Sequence, residues 1–342
     1  MSLPNSQVIV DQLIAFQKTV RDIIIHSRQA ATDAGSGLHE VSRSSSADTI
    51  YKIDTEVDPI LITFCEEWAA RTPLVLIAEG LEDEHGNEVE HRVFPKGTAE
   101  KDAEIRVIVD PIDGTRGIMY DKRAAWALAG VAPNKGSATR LRDIEISVMS
   151  ELPTSKMGQA DVLWAIKGQG AHGVRVNLRD GSEKPLALKA SRASTIEHGF
   201  ASIANFFPGT KVLAAELMEK IAAALIGPAD VTRATVFEDQ YISTGGQFYE
   251  LIVGHDRFNA DLRPLFYAMQ NQPEGLCCHP YDCATWLVAE EAGVILTDSL
   301  GGPLDGPLDV TTGISWAGFA NAELRKRIEP ILTEFLKTAR KK

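Results

Sequence analysis

Two short apolar runs each stop on an acid, and this limits the fold more than any other feature of the chain. Leu74-Val75-Leu76-Ile77-Ala78 gives way to Glu79, and Arg106-Val107-Ile108-Val109 gives way to Asp110. A short, continuous apolar run is what a strand buried on both faces requires. A carboxylate is costly inside such a run, so it marks where the strand emerges. The second run continues as VDPIDGT over 109–115, which sets Asp110 and Asp113 on either side of Pro111 and Ile112. Asp, Pro and Gly are also ordinary turn residues. From this stretch alone, a plain surface turn and a charged site at a strand end are both open. Pro111 cannot donate to a ladder and is expected to end the strand. The turn would then bring Asp113 back beside Asp110, with Gly114 tolerating close backbone approach.

The remaining elements alternate between helix and strand, as in an α/β protein. Helical spacing of Val8, Leu13, Ile14, Phe16, Val20, Ile23 and Ile24 predicts a helix over 7–31. Residues 32–49 read as a polar loop, and Val57, Ile60, Leu61, Phe64 and Trp68 predict a helix over 54–71. The acidic stretch 81–103 reads as a hairpin or loop. Strands follow at 124–132 and 144–149, then a hairpin over 162–176 around Gly168 and Gly170. Further helices are expected at 211–226, 239–253 and 282–292, with a strand at 294–296. Trp68, Trp126 and Trp286 sit in apolar periodic stretches and read as core. The 342 residues suit one large unit or two closely packed halves, here taken as 1–190 and 191–342.

Charge and composition narrow the function. A net charge of −12 argues against binding a nucleic acid polymer or an anionic membrane. No run of 18 apolar residues occurs, and the N-terminus lacks the pattern of a signal peptide, so a cytoplasmic protein is expected. Cys65, Cys277, Cys278 and Cys283 read as free thiols. Cys277, Cys278, His279 and Cys283 do not form the paired CxxC spacing of a zinc site. Asp282 precedes an apolar helical stretch, where it could cap the helix or join Glu79, Asp110 and Asp113 in a site. Several carboxylates in one place oppose each other's ionisation, and divalent cations resolve the conflict. Mg²⁺ takes such oxygens, and two ions about 4 Å apart can clamp a phosphoryl group in transfer. The spacing is DxxDGT, so the aspartyl nucleophile of DxDGT phosphatases is missing, and no GxGxxG or GxxxxGK[ST] motif occurs.

IAEG at 77–80, DPIDGT at 110–115, KGQGAHG at 167–173 and YDCATWLVAEEAGV at 281–294 occur in this order. Together they resemble the inositol monophosphatase superfamily, over roughly residues 50–320. The resemblance implies a layered αβαβα sandwich and a phosphate monoester hydrolase that uses two or three Mg²⁺ ions and a metal-activated water. It implies that Glu79, Asp110, Asp113, Asp282 and the Ile112 carbonyl hold metal. Asp54 and Thr115 would act as a catalytic pair, with Glu79 also catalytic. Gly114 and Thr115 N–H groups would hold phosphate, and Asp261, Ser243 and Thr244 would face the substrate. Arg116 is a candidate for a second anionic group, or equally for a salt bridge. The implied substrate is an inositol monophosphate or a similar small phosphorylated polyol or sugar, and the implied assembly is a homodimer.

Several positions depart from the family pattern. Gly80 stands where a second Glu is common, Tyr281 replaces a Trp, Arg116-Gly117-Ile118 follows DGT, and the interval from Asp261 to Asp282 is long. The alternatives are a 3′-phosphoadenosine 5′-phosphate or fructose-1,6-bisphosphate phosphatase, and a divalent-ion-binding regulatory protein without turnover.

Overall fold

The computed structural model describes residues 3–34, 41–44, 49–51, 53, 57–83 and 85–339. Its centre is an eight-stranded sheet. Along the chain, the strands of this sheet are β3 (Leu74–Ala78), β4 (His91–Phe94), β5 (Ile105–Asp113), β6 (Ala125–Pro133), β7 (Ile146–Leu152), β8 (Gln159–Ile166), β9 (Ala171–Asn177) and β10 (Glu183–Pro185). Across the sheet they run β10-β9-β8-β7-β6-β5-β3-β4. β3 and β5 are parallel, and the other pairings are antiparallel. A separate hairpin joins β1 (Val41–Ser44) to β2 (Thr49–Tyr51). A second sheet holds β11 (Gly199–Ile203), β12 (Val236–Phe237), β13 (Asp256–Asp261), β14 (Ile295–Asp298) and β15 (Trp316–Phe319), in the order β12-β11-β13-β15-β14.

Two-residue periodicity explains why the large sheet is buried on both faces. Along β6, Trp126, Leu128 and Ala132 face one core, while Ala125, Ala127, Ala129 and Val131 face the other. Helices α1 (Ser6–Ala34) and α2 (Asp58–Ala69) cover the alanine-rich face. Helices α5 (Thr244–Ile252) and α7 (Trp286–Glu291) fill the space between the two sheets. Helices α4 (Lys211–Ile226) and α8 (Ala322–Ala339) cover the far side of the second sheet. The layers are therefore α, β, α, β, α, as the resemblance implied. Trp68, Trp126 and Trp286 are all buried. Among the described residues, no helix is long and apolar enough to cross a membrane.

Helix α1 shows how one polar pair can sit in an apolar contact. Val10, Leu13, Phe16, Val20 and Ile24 are buried, whereas Val8 points outward. Gln17, on the buried stripe, donates to the Val148 carbonyl at 3.0 Å and accepts from Ser150 Oγ at 2.7 Å. Both ends of its amide are thus satisfied, as a buried polar group requires.

Several expected boundaries move. Part of the stretch read as a loop over 32–49 is the end of α1 and the β1–β2 hairpin; 35–40 and 45–48 lie outside the described residues. The helix expected from 54 is described from Asp58 to Ala69, and Asp54 itself lies outside the described residues. Pro111 does not end its strand. β5 runs on to Asp113, with a break in register between Asp110, opposite Leu128, and Asp113, opposite Trp126. One extra residue on β5 makes a bulge, which accommodates a proline that a regular ladder would reject. The helix expected over 239–253 begins at Thr244, and that expected over 282–292 begins at Trp286.

Candidate active site

The bulge in β5 re-aims the two acids of the DPIDGT stretch. Asp110, Asp113 and Asp282 each present a carboxylate oxygen within 4.8 Å of the others. Each acid has a different local anchor. Asp110 accepts from the Ile112 backbone nitrogen at 3.0 Å, closing the turn on itself. Asp113 is buried, and its Oδ2 accepts from Ser243 Oγ at 2.8 Å and from Gly245 N at 2.6 Å. Asp282 Oδ2 accepts from His279 N at 2.6 Å. The helix-cap reading of Asp282 is therefore set aside: Thr285 occupies the N-cap of α7, and Asp282 lies in the turn before it.

Glu79, immediately after β3, lines the same cavity, as do Gly80, Ile112, Gly114, Thr115 and Arg116. Parallel pairing of β3 with β5, with Ala78 opposite Val109, brings Glu79 and Asp110 to the same edge of the sheet. Gly114 has φ of 100°, and a Cβ there would come within 3.1 Å of Ser243 Cβ and 3.2 Å of the Ile242 carbonyl. Both the turn and the close packing of β5 against the start of α5 thus require glycine. Thr115 opens the short helix α3 (Thr115–Ile118), and its hydroxyl donates to the Ile112 carbonyl at 2.8 Å.

The electrostatics of this cluster are unfavourable without a counter-charge. Loss of water and then the charges of Asp113, Asp282 and Glu79 push the Asp110 carboxyl well above the usual range. Burial followed by the Asp113 charge does the same to Asp282. Burial raises Asp113 to about 7, although the hydrogen bonds from Gly245 and Ser243 pull the other way. Three close carboxylates driven toward taking up protons form a donor set that a hard divalent cation satisfies. These residues therefore fit such an ion.

The predicted site residues divide into groups. Glu79, Asp110, Ile112, Asp113, Gly114, Thr115, Arg116, Ser243, Thr244 and Asp282 share one cavity. Ser243 also caps α5 by accepting from Gly246 N at 2.8 Å, so its hydroxyl serves both the helix and Asp113. Asp261 differs from expectation. It is buried at the end of β13, and both its carboxylate oxygens are taken by Arg263. Arg263, first residue of α6 (Arg263–Met269), lines the cavity instead.

Sequence reading passed over Asp58, Phe206, Phe207 and Arg263, which all line the cavity. A signal existed for two of them. Asp58 stands four residues after Asp54 in KIDTEVDP, and Arg263 stands two residues after Asp261 in ADLRP. Nothing in NFFPG marks its aromatic pair as part of a site.

Fold and carboxylate cluster together define a layered α/β protein with a candidate divalent-metal centre. No family model matches the chain. The fructose-1,6-bisphosphatase/inositol-1-monophosphatase of Methanothermobacter thermautotrophicus is 25% identical over 223 residues, which span 65% of this chain and 65% of that protein, just under two thirds of its length. The structure of fructose-1,6-bisphosphatase from Leishmania major superposes with a TM-score of 0.67 at 14% identity, over 98% of this chain and 99% of that one. That of the extragenic suppressor protein suhB from Bartonella henselae gives 0.63 at 15% identity, over 96% and 99%. The chain shares the fold of these two solved structures, and its sequence is similar to the Methanothermobacter protein.

Proposed function

We propose that this chain is a Mg²⁺-dependent hydrolase of small phosphate monoesters borne on a sugar or polyol. The observation that carries the reading is the cluster of Asp110, Asp113 and Asp282, whose ligand oxygens lie within 4.8 Å of one another in a cavity that Glu79 also lines. Bound there, divalent ions would neutralise phosphate oxygens and lower the pKa of a water molecule.

The residues of the chain have distinct parts in this scheme. Glu79, Asp110, Asp113, Asp282 and the Ile112 carbonyl hold the ions. Ser243 and Gly245 hold Asp113 in place through its Oδ2. The N–H groups of Gly114 and Thr115 hold the phosphate, in a turn whose shape depends on glycine at 114. The Thr115 hydroxyl, which here donates to the Ile112 carbonyl, would turn from it to orient the attacking water and pass its proton toward a carboxylate. Asp58, which lines the cavity, is one candidate acceptor, and Asp54 is the partner that the resemblance implies.

Phosphate release from a panel of sugar and polyol monophosphates, measured with Mg²⁺ and again after EDTA, tests the proposal. Turnover with Mg²⁺ and its loss with chelator is the expected result. Turnover that survives complete removal of divalent ions would refute it.

A further inference from the structure

A row of side chains crosses the large sheet away from the metal cluster. Asp113 on β5 stands opposite Trp126 on β6, and Trp126 stands opposite Glu151 on β7. Further along, Asp161 on β8 stands opposite Arg175 on β9. Beside the far end of this row lies a second cavity of about 620 Å³, lined by Glu151, Met157, Asp161, Arg175, Arg179 and Tyr249 among others. That volume suits a small molecule. A neighbouring hollow shares Glu151, Met157 and Tyr249, and is walled by Trp126 and Tyr241.

The charges in this cavity are incompletely matched. Glu151 Oε2 accepts from the Asp161 backbone nitrogen at 3.0 Å, while Oε1 has no hydrogen bond or ion pair among the described residues. Burial pushes this carboxyl up to about 7, as happens where a carboxylate has lost water and gained no cation. Asp161 is in the opposite position. Its two oxygens accept from Arg175 Nε and Nη2, each at 2.7 Å, and Oδ2 also accepts from the Tyr249 hydroxyl at 2.6 Å. Arg175 has three further N–H groups with no partner among the described residues. The Arg179 guanidinium is exposed and makes no ion pair with any described residue. One acid group at one end of the cavity and one net positive charge at the other are therefore left over.

We propose that this cavity binds a small zwitterion, an α-amino acid with an apolar side chain, with its ammonium group on Glu151 and its carboxylate on Arg175 and Arg179. A simple cation would leave the arginine pair unmatched, and a simple anion would meet Glu151. A molecule that carries both charges satisfies both ends. Glu151 and Arg175 stand on strands two spacings apart, about 9.5 Å. A hydrogen bond of about 2.8 Å at each end leaves a gap that a compact zwitterion spans. Met157 and Tyr249, with Trp126 and Tyr241 beyond them, supply the wall for an apolar side chain. None of these groups belongs to the carboxylate cluster, so the site does not depend on the hydrolase reading.

Calorimetry on the full chain at pH 8, without added metal, tests this with two matched sets of probes. L-Phenylalanine is compared with phenethylamine, which lacks the carboxylate, and with 3-phenyllactate, which lacks the ammonium group. L-Leucine is compared in the same way with 3-methylbutylamine and 2-hydroxy-4-methylpentanoate. At least one of the two amino acids should bind saturably. It should bind at least about tenfold more tightly than either of its analogues, the lower end of what a hydrogen bond to a charged group is worth. Glu151→Gln should weaken that amino acid at least about tenfold. Absence of binding by both amino acids would overturn the proposal, as would an analogue lacking one charge that binds as tightly as its parent. A Glu151→Gln protein with the wild-type affinity would overturn it too. If Glu151→Gln does not fold, the comparison of probes on the wild type decides alone.

Discussion

The backbone nitrogen of Gly245 lies 2.6 Å from Oδ2 of Asp113, so the first turn of α5 in the central layer grips an acid at the end of β5. The approach depends on the missing side chain. A Cβ at 245 would come within 2.5 Å of Leu128 Cδ2 and 3.0 Å of that same Asp113 oxygen. Gly245→Ala should therefore push Asp113 out of line and strain the core by about 1–3 kcal/mol, the usual cost of overpacking. Thermal unfolding and Mg²⁺ titration of the variant check this. A Gly245→Ala protein with the wild-type Tm and Mg²⁺ affinity would show that the contact is incidental.

Thr115 supplies a second prediction. Its hydroxyl sits on the same turn as Asp113 and lines the same cavity as Asp58. If it hands on the proton of the attacking water, Thr115→Ala should lower kcat by about 10²–10⁴-fold, the usual range for proton-transfer help. Either Asp58→Asn or Asp54→Asn should match it, and the double variant with Thr115→Ala should be hardly worse than Thr115→Ala alone. Steady-state kinetics alongside Tm separates this from a structural role. Full activity in both Asp variants would remove the relay.

What was legible in the sequence follows from how local each cause is. The strands ending at Ala78 and near Asp110 declared themselves because burial on both faces demands unbroken apolar residues, and the acids that follow could not remain inside. The bulge at Pro111 was not legible, because whether a strand stops or slips by one residue depends on its partner β6. Helix starts at Thr244 and Trp286 were placed too early, since apolar turn residues before them pack in the core just as helical ones would. The exchange of roles between Asp261 and Arg263 is the most instructive case. The resemblance implied that Asp261 faces the substrate, but in the turn into α6 its carboxylate is bound by Arg263, which lines the cavity in its place.

Away from the metal centre, Glu151 gives a pH prediction with a definite sign. It lies on β7 opposite Trp126, accepts from the Asp161 backbone nitrogen at 3.0 Å, and burial raises its carboxyl to about 7 from an ordinary 4.5. The folded state thus keeps a proton that the unfolded state releases. Between about pH 4.5 and 7, rising pH favours unfolding through this group, by at most about 1.4 kcal/mol per pH unit. Glutamine cannot ionise. Glu151→Gln should therefore gain stability relative to the wild type from pH 5 to pH 8, by up to about 3 kcal/mol. Denaturant unfolding at the two pH values reads the difference. A gap that stays constant or shrinks would contradict the assignment.

The central claim is that Asp110, Asp113 and Asp282 hold the divalent ions that make this chain a phosphatase. Its most direct test follows Mg²⁺ binding by calorimetry and phosphate release in the same preparations of wild type and Asp113→Asn. The account predicts that wild-type activity rises in step with Mg²⁺ occupancy. It predicts that Asp113→Asn stays folded, binds Mg²⁺ more weakly and loses most of its turnover. An Asp113→Asn protein that hydrolyses phosphate esters at the wild-type rate, or a wild type whose turnover is indifferent to Mg²⁺, would contradict it.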